Sequence, residues 1–360
     1  MMVSKPAYFV VIPTVVLILL GLVMVFSAST VYGLNQNGYR FLAQQIGWAV
    51  FGFGLMLLCA RIDYHRLARL SLAGVLLSIA LLVAVRALGT VSGGARLGIE
   101  VGPLYFQPTE LAKFTMVIFA AYALSRKGDK LKSFAHLLVP VMVLAALEAA
   151  LMLMQPDLGS ALIMLLAVLL VMFLSKSRVS HVAAIGAGLG VATAVAIWKY
   201  PYMLERIKAV LYPWKDPQGY GYQVIQSKIA LGSGSLKGLG LGMSRQKFLY
   251  LPNAHNDFIF AIVGEELGLL GTLAVVLLVG LLTYGGLKIA SGAPDELGKL
   301  IACGITGLIV VQALVNMGGV TGLLPITGVP LPFVSSGGSS LCVTMGCTGI
   351  LLNVASHGSR

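Results

Sequence analysis

Asp257 is the residue whose position in the sequence most strongly suggests chemistry. It lies in the stretch LPNAHNDFIFAIVGEELG, residues 251–268, where a basic segment leads into a long apolar run. A carboxylate in apolar surroundings is costly, and one within reach of a hydroxyl group can act as a general base. With Asn253 and Asn256 beside it, Asp257 could instead cap the helix that the apolar run predicts. The basic segment favours the general base, because it would attract an anionic substrate to the carboxylate.

Glu110 and Lys113 form a second candidate group in FQPTELAKF, residues 106–114. They are three residues apart, so both lie on one face of the predicted helix. Burying such a pair costs desolvation, and the pattern fits residues that position other groups as well as an ordinary salt bridge between helices.

Other acidic residues also lie in or beside apolar runs. Those inside the runs are Glu148, Glu265 and Glu266. We expect these three to face a cavity or a partner group rather than lipid. Asp157, in QPDLGSA, follows a proline just before the next apolar run, and it is expected to cap a helix.

The chain that carries these residues is far more apolar than a soluble domain. Of its 360 residues, 58% are hydrophobic and 11% are charged, and the mean hydropathy is +0.91. Soluble domains have about 25% charged residues, so the composition predicts a polytopic membrane protein. For such a chain, the net charge of +12 suggests anionic lipid rather than nucleic acid as a partner. The four cysteines lie in apolar runs without CxxC spacing and indicate neither a zinc site nor a disulfide framework.

Ten apolar runs are long enough to be membrane-spanning helices. They cover residues 8–28, 42–60, 68–88, 111–125, 136–154, 159–175, 180–198, 257–284, 299–317 and 341–355. The first is not followed by a small-residue cleavage site and a soluble mature domain, so it is read as a helix, not a signal peptide. Lys and Arg are concentrated in the connections after the second, fourth, sixth and eighth runs, which predicts cytoplasmic termini. The predicted fold is an all-α protein of ten transmembrane helices, with residues 1–360 forming one integral membrane domain.

The connection of residues 200–256 then lies on the outer side, although it is strongly basic. The residues in it that could bind an anionic headgroup are Arg206, Lys228, Lys237, Arg245 and Lys247. A surface that faces lipid headgroups would explain the same charge. The stretches MLERIKAVL and YQVIQSKIAL have helical patterns, so we expect a partly helical loop folded against the membrane. The glycine-rich turn at residues 231–242 lacks the residue order of a nucleotide-binding P-loop.

The segment of residues 318–340 is apolar but rich in glycine and proline, and it contains no Lys, Arg, Asp or Glu. It is too apolar for a solvent loop and too broken for a continuous helix. Irregular backbone at membrane depth is tolerated where it lines a cavity, and this is the structure we predict for it.

Six blocks of the chain resemble the SEDS family of shape, elongation, division and sporulation proteins, and RodA, the elongation branch, is the nearest match. The blocks are GLVMVFSAS at 21–29, FQPTELAK at 106–113, QPDLGSA at 155–161, YQVIQSKIALGSG at 222–234, GLGLGMSRQKFLYLPNAHNDFIFAIVGEELG at 238–268 and GLLPITGVPLPFVSSGGSS at 322–340. They follow the family order along nearly the whole chain. GARLGI lacks a tryptophan common in the family, and Ser336 stands where tyrosine is frequent. We therefore assign no role to Arg96 or Ser336.

The resemblance implies a bacterial peptidoglycan glycosyltransferase of the cytoplasmic membrane, with its active site on the outer face. Such enzymes polymerise lipid II, the undecaprenyl-diphosphate disaccharide pentapeptide, and work with a class B penicillin-binding protein. The family's essential loop aspartate falls on Asp257, and its glutamate and lysine fall on Glu110 and Lys113. The resemblance therefore implies that Glu110 and Lys113 bind substrate, with Lys113 and Arg206 as the first candidates to hold the headgroup. Asp257 would then take a proton from the acceptor hydroxyl while the outer Lys and Arg residues bind diphosphate. A divalent cation, Mg or Mn, could assist the leaving diphosphate, but the sequence contains no recognisable metal site.

Two other classes of function would fit part of this pattern. A flippase or transporter of the same polyprenyl lipid would also use ten spans and intramembrane acids, but no inverted repeat is visible. In a scaffold that only recruits a cross-linking partner, Asp257 would have no chemical function. Purified protein given lipid II distinguishes them, because only a polymerase makes glycan strands.

Overall fold

The computed structural model describes residues 5–29, 38–92, 95–101, 104–128, 131 and 133–358. The helices in these residues are α1 (Lys5–Ser29), α2 (Gly38–Arg61), α3 (Tyr64–Arg69), α4 (Ser71–Leu88), α5 (Pro108–Ser125), α6 (Phe134–Leu153), α7 (Leu158–Leu174), α8 (Val179–Lys199), α9 (Pro201–Leu211), α10 (Tyr222–Ser233), α11 (Ile259–Ser291), α12 (Glu296–Thr321) and α13 (Gly338–Gly358). The strands are β1 (Thr90–Ser92), β2 (Ala95–Val101) and β3 (Leu104–Phe106).

Each of the ten predicted spans coincides with a helix of the structure. Within the described part of the chain, seven helices are long and apolar enough to cross a membrane: α1, α2, α4, α8, α11, α12 and α13. Two shorter apolar helices lie at Pro140–Leu153 and Leu158–Leu174. A multi-pass membrane protein is therefore confirmed, while the count of ten spans stays a prediction.

Helix α12 lies at the centre of the bundle. It packs against α5, α7, α11 and α13. Of the residues in its most apolar stretch, 72% are buried inside the protein, compared with 17% for α2 and for α8. Large apolar side chains of the outer helices are exposed instead, including Val50, Phe51 and Val191. The buried polar residues of α12, such as Gln312 and Asn316, therefore face other parts of the protein and can hold neighbouring segments in place.

The prediction of an all-α fold is wrong between α4 and α5. Residues 90–106 contain a small antiparallel sheet in the order β1-β2-β3, in which Ile99 pairs with Phe106 and Val101 with Leu104. The sequence LGIEVGPLYF carries its β-branched and aromatic residues close to turn-forming Gly and Pro, a composition that favours short strands over a helix.

Helix α11 also differs from the predicted span of residues 257–284. It runs from Ile259 to Ser291 and is interrupted at Gly268, whose φ of 68° and ψ of −163° are not helical. The part after the break, residues 269–291, is long enough to cross a membrane by itself. The nine residues before the break therefore form a separate helical piece that begins next to Asp257.

The partly helical loop predicted for residues 200–256 and the irregular backbone predicted for residues 318–340 are both present, with different bounds for the second. The basic loop contains α9 and α10 where helical patterns were expected. The irregular segment is shorter than predicted, because α12 continues to Thr321 and α13 already begins at Gly338. Helix α12 ends at Gly322, whose φ of 73° provides a left-handed cap. The remaining residues, 322–337, are called the irregular segment below.

Candidate active site

The carboxylate of Asp257 does not cap the helix that follows it. The cap position of α11 is occupied by Phe258, and no side-chain hydrogen bond caps this helix. Asp257 Oδ1 is buried and has no hydrogen-bond partner among the described residues. Since unpartnered buried oxygens are rare and costly, the structure argues against the cap interpretation and for a carboxylate kept available for a ligand.

The backbone around Asp257 is held by side chains from α12 and the irregular segment. Asn316 Nδ2 donates hydrogen bonds to the backbone oxygens of Asp257 and Val329, at 2.9 and 2.8 Å. Ser335 Oγ donates to the backbone oxygen of Asn256 at 2.7 Å. The position of the carboxylate is thus fixed through the main chain of Asp257 and Asn256, and these hydrogen bonds do not use the carboxylate oxygens.

The surroundings of Asp257 suit a base that works near neutral pH. Burial raises the pKa of Asp257 to about 6, the nearby Arg206 opposes this rise, and the nearby Asp157 adds to it. A carboxylate with this pKa is mostly ionised at pH 7 and is a stronger base than an exposed aspartate.

An apolar cleft of about 260 Å³ opens between α7, α8, α9 and the irregular segment. Residues that line it include Leu162, Ile163, Leu166, Ile197, Ile207 and Leu324. Arg206 also lines the cleft, and its Nη1 donates to the backbone oxygen of Ile326 at 2.8 Å. Ile326 and Thr327 line both this cleft and the small hollow beside Asp257. An apolar chain in the cleft would therefore lie close to a guanidinium and a carboxylate.

Glu110 and Lys113 form a buried ion pair, as the sequence spacing allows. Lys113 Nζ lies 2.8 Å from Glu110 Oε1, and the two side chains are 1% and 3% exposed for Lys113 and Glu110 respectively. Lys113 Nζ also donates to Gln312 Oε1 at 2.8 Å, and Gln312 Nε2 donates to the backbone oxygen of Pro330 at 3.0 Å. The pair is thereby connected to the irregular segment one helical turn from Asn316, the residue that holds Asp257.

Asp157 caps α7 as predicted, since its Oδ1 accepts a hydrogen bond from the Ser160 backbone at 3.0 Å. Its second oxygen, Oδ2, is buried without a partner among the described residues. Burial raises the pKa of Asp157, and its charge also influences Asp257. Asp157 therefore belongs to the electrostatic environment of the site as well as to the helix cap.

The other basic residues predicted to bind a headgroup do not share this site. Lys228 is exposed on α10 and lies beside Gly322, at the end of α12. Lys237 and Arg245 are exposed on the loop. Lys247 is only 2% exposed and pairs with Glu266 at 3.0 Å, so its charge is already compensated inside the protein. Lys113 is buried in its ion pair with Glu110, so of the six cations predicted to bind a headgroup only Arg206 is among the residues that line the cleft beside Asp257.

The acids inside apolar runs have polar partners, as predicted. Glu148 Oε1 lies 2.5 Å from Ser78 Oγ, which joins α6 to α4. Glu265 and Glu266 bind the backbone of the preceding loop. None of the three reaches the cleft or the hollow at Asp257.

The sequence reasoning missed uncharged polar residues that build the site. Gln312 and Asn316 are four residues apart in the apolar run of α12, so they lie on one face of it. That spacing was the available signal, because amides within a buried helix need partners. Among the described residues, no group of three or more His, Cys, Asp or Glu side chains could hold a metal ion.

Comparisons with known proteins identify the family of the chain. Residues 8–360 match the family model of the FtsW, RodA and SpoVE proteins, described as cell cycle proteins. Stage V sporulation protein E of Bacillus subtilis is 38% identical over 359 residues, which cover 98% of each chain. A probable peptidoglycan glycosyltransferase FtsW of Geobacter sulfurreducens is 39% identical over 94% of this chain and 91% of its own.

Solved structures show the same fold. A chain from a study of polymerization and crosslinking by a peptidoglycan synthase complex aligns with a TM-score of 0.78 and 31% identity, over 97% of both chains. The rod shape determining protein RodA of Thermus thermophilus aligns with a TM-score of 0.70 and 26% identity, over 98% of this chain and 97% of its own. The family match over nearly the whole sequence, together with these relatives, establishes that the chain belongs to the FtsW/RodA/SpoVE family of cell cycle proteins, which is the SEDS family.

Proposed function

We propose that the protein is a peptidoglycan glycosyltransferase that polymerises lipid II into β-1,4 glycan strands, with Asp257 as the general base. The observation that carries this proposal is the Asp257 carboxylate, which has a buried oxygen without a partner among the described residues and lies beside an apolar cleft that Arg206 lines. The names of the FtsW relatives, probable peptidoglycan glycosyltransferases, support the same reaction.

In the proposed reaction, the 4-hydroxyl of the acceptor sugar attacks the anomeric carbon of the donor and inverts it. The new C–O bond forms as the bond from that carbon to the diphosphate breaks. Asp257 takes the proton of the attacking hydroxyl, a role typically worth 10²- to 10⁴-fold in rate. The leaving lipid diphosphate needs no proton, because cationic groups such as Arg206 can stabilise its charge.

The cleft favours a lipid-linked substrate over a soluble sugar nucleotide. Its lining is mostly aliphatic, which suits part of a polyprenyl tail, and Arg206 at the wall shared with the Asp257 hollow suits the first phosphates of a headgroup. Glu110 and Lys113 support the site by holding Gln312 and the irregular segment. Lys228, Lys237 and Arg245 remain candidates for contacts with more distant parts of the headgroup.

The pH dependence of polymerisation tests the assignment of Asp257. Activity should rise with pH through about 6, since the base must lose its proton and the pKa of Asp257 is raised to about 6. Removing the nearby positive charge with Arg206→Met raises this pKa further and should move the rising limb to higher pH. Asp157→Asn removes a negative charge and should move it to lower pH. Initial rates measured from pH 4.5 to 8.5 check these opposite shifts, with Asp216→Asn, in the same loop, as the control. If the rising limb of the pH–rate profile lies at the same pH in the wild-type protein and in all three variants, the assignment of Asp257 as the base is refuted.

The direct test of the function is synthesis by purified protein. Detergent-solubilised protein given fluorescent lipid II is expected to make long glycan strands that resolve on a gel and disappear on muramidase treatment. Transfer of labelled lipid II across vesicle membranes without strand formation would support the flippase alternative and contradict the polymerase.

We further propose a class B penicillin-binding protein as the partner and the outer face of the bacterial cytoplasmic membrane as the location of the site, with both termini inside. The alignment with a chain from a peptidoglycan synthase complex supports a cross-linking partner. For the cellular role we propose elongation, in line with the alignment to RodA, although the relatives of higher identity are an FtsW and a stage V sporulation protein. Complementation of strains that lack the elongation, division or sporulation protein tests this choice, and rescue of division or sporulation alone would overturn it.

A further inference from the structure

The loop that precedes Asp257 is attached to α11 by two neighbouring buried acids. Glu266 is fully buried, and its oxygens accept hydrogen bonds from the backbone N–H groups of Gly242 and Ser244, at 3.0 and 3.3 Å. Glu265 is 1% exposed and accepts from the backbone of Arg245 at 2.9 Å and from Ser244 Oγ at 2.5 Å. Both carboxylates thus bind the loop mainly through its main chain.

Lys247 completes this group with all of its donors used. Its ammonium can donate three hydrogen bonds, and these go to Glu266 Oε1 at 3.0 Å, Ser27 Oγ at 3.0 Å and the backbone oxygen of Gly242 at 2.7 Å. Ser27 Oγ in turn donates to Glu266 at 2.6 Å, which connects the group to α1. We call Ser27, Lys247, Glu265 and Glu266 the loop clamp.

The break in α11 allows the loop to reach these acids. At the break, Gly268 and Gly238 each have positive φ, of 68° and 81°. A Cβ atom on Gly268 would lie 2.3 Å from the Gly238 nitrogen, so only glycine permits this approach. Because of the close contact, the backbone N–H groups of Leu239 and Gly240 bind the carbonyl oxygens of Glu265 and Glu266, at 2.9 and 3.0 Å.

The clamp lies at one end of the segment that carries Asp257. Lys247 and Asp257 are separated by residues 248–256, and the backbone N–H of Leu251 binds back to the oxygen of Gln246 at 2.9 Å. At the other end, Asn316 and Ser335 hold the main chain as described above. The segment is therefore anchored at both ends, and the position of its carboxylate depends on both anchors.

We propose that Lys247 and Glu266 are positioning residues that fix this segment so that Asp257 reaches the substrate, and that Lys247 makes no contact with substrate itself. This inference rests on the proposed function for its kinetic consequence. A buried ion pair is the suitable device here, because its geometry is specified by the surrounding hydrogen bonds, whereas an exposed lysine would be free to move.

The test compares the double variant Lys247→Met/Glu266→Gln with Lys215→Met, which removes an exposed lysine of the same loop that has no proposed role in binding. The double change removes the pair without leaving one buried charge alone. A displacement of the base by about 1 Å costs on the order of 10²-fold, so we expect kcat for lipid II polymerisation to fall by about that factor while KM stays within about twofold. Lys215→Met should keep wild-type kcat. If the double variant does not fold, Ser27→Ala, which cuts only the link to α1, should show a smaller loss of kcat with unchanged KM.

Hydrogen exchange of the backbone amides separates this proposal from the proposed function. In the double variant we expect faster exchange in residues 248–258 and unchanged exchange in α13. A raised KM with unchanged kcat would make Lys247 a substrate contact and overturn the proposal, as would unchanged exchange or unchanged kcat. If wild-type protein makes no glycan from lipid II, the proposed function fails, and the exchange measurement still decides whether the clamp holds the segment.

Discussion

Asp257→Asn is expected to reduce glycan synthesis by at least 10²-fold and to leave the protein folded. The loss follows from the removal of the proton acceptor, since general base catalysis typically contributes 10²- to 10⁴-fold. The fold should tolerate the change, because the Asp257 carboxylate makes no cap and its buried Oδ1 has no partner to lose among the residues that the structure describes. The thermal unfolding temperature should be equal or slightly higher, because a neutral amide is cheaper to bury than a carboxylate. Initial polymerisation rates and unfolding in detergent measure both effects.

Two further variants show whether the position of the carboxylate matters as well as its charge. Asp257→Glu moves the carboxylate by about 1 Å and should lose on the order of 10²-fold in rate. Asp216→Asn is the matched control, since Asp216 lies in the same loop and binds only the backbone of its own turn, at Gly219 and Tyr220. Activity of Asp257→Asn above roughly a tenth of wild type would contradict the role of this residue as the base, because the cost of losing a base is much larger.

Much of the fold could be predicted because membrane helices leave a strong signal in the sequence. Runs of about 20 apolar residues located α1, α2, α8 and α12 within a few residues, since lipid imposes length and composition on each span. The break at Gly268 could not be predicted in this way, because its backbone conformation depends on contact with Gly238, thirty residues earlier. Strands β1 and β3 were missed because each has three residues, too few to produce a hydrophobic period. The seven residues of β2, ARLGIEV, do alternate between apolar and polar types, and this signal was overlooked.

The residues of the candidate site could be predicted where an ionisable residue stands beside an apolar run, and they could not be predicted within the basic loop, where charged residues are common. Asp257, Glu110 and Lys113 stand out as ionisable residues at the borders of apolar runs, and such residues need a partner or a task. In the basic loop, charge alone did not distinguish Arg206, which lines the cleft, from Lys247, which is buried against Glu266. That difference is set by contacts between residues far apart in sequence, such as Lys247 with Ser27. The uncharged Asn316 gave a still weaker signal, although it holds the backbone of Asp257.

The ion pair of Glu110 and Lys113 should affect stability and activity in different ways. Glu110→Gln or Lys113→Met leaves one buried charge without its partner, and such losses cost about 3–5 kcal/mol. Each single change should therefore lower the thermal unfolding temperature clearly. The double change removes both charges, so its effect on stability should be smaller than that of either single change. A thermodynamic cycle of the four proteins, from unfolding measured in one detergent, gives the interaction energy.

Activity should not recover in the double variant, because the pair also holds the irregular segment. Lys113 donates to Gln312, and Gln312 donates to the backbone oxygen of Pro330. Gln312 lies one helical turn before Asn316, whose side-chain amide holds the backbone of Asp257. Lys113→Met removes this connection whether or not Glu110 is charged. Polymerisation should therefore fall at least tenfold in the Lys113→Met single variant and in the double variant. Asp63→Asn is the control, since it weakens an ion pair with His65 that has no part in the site. Full activity of Lys113→Met and of Glu110→Gln would show that the pair stabilises the bundle without positioning the site.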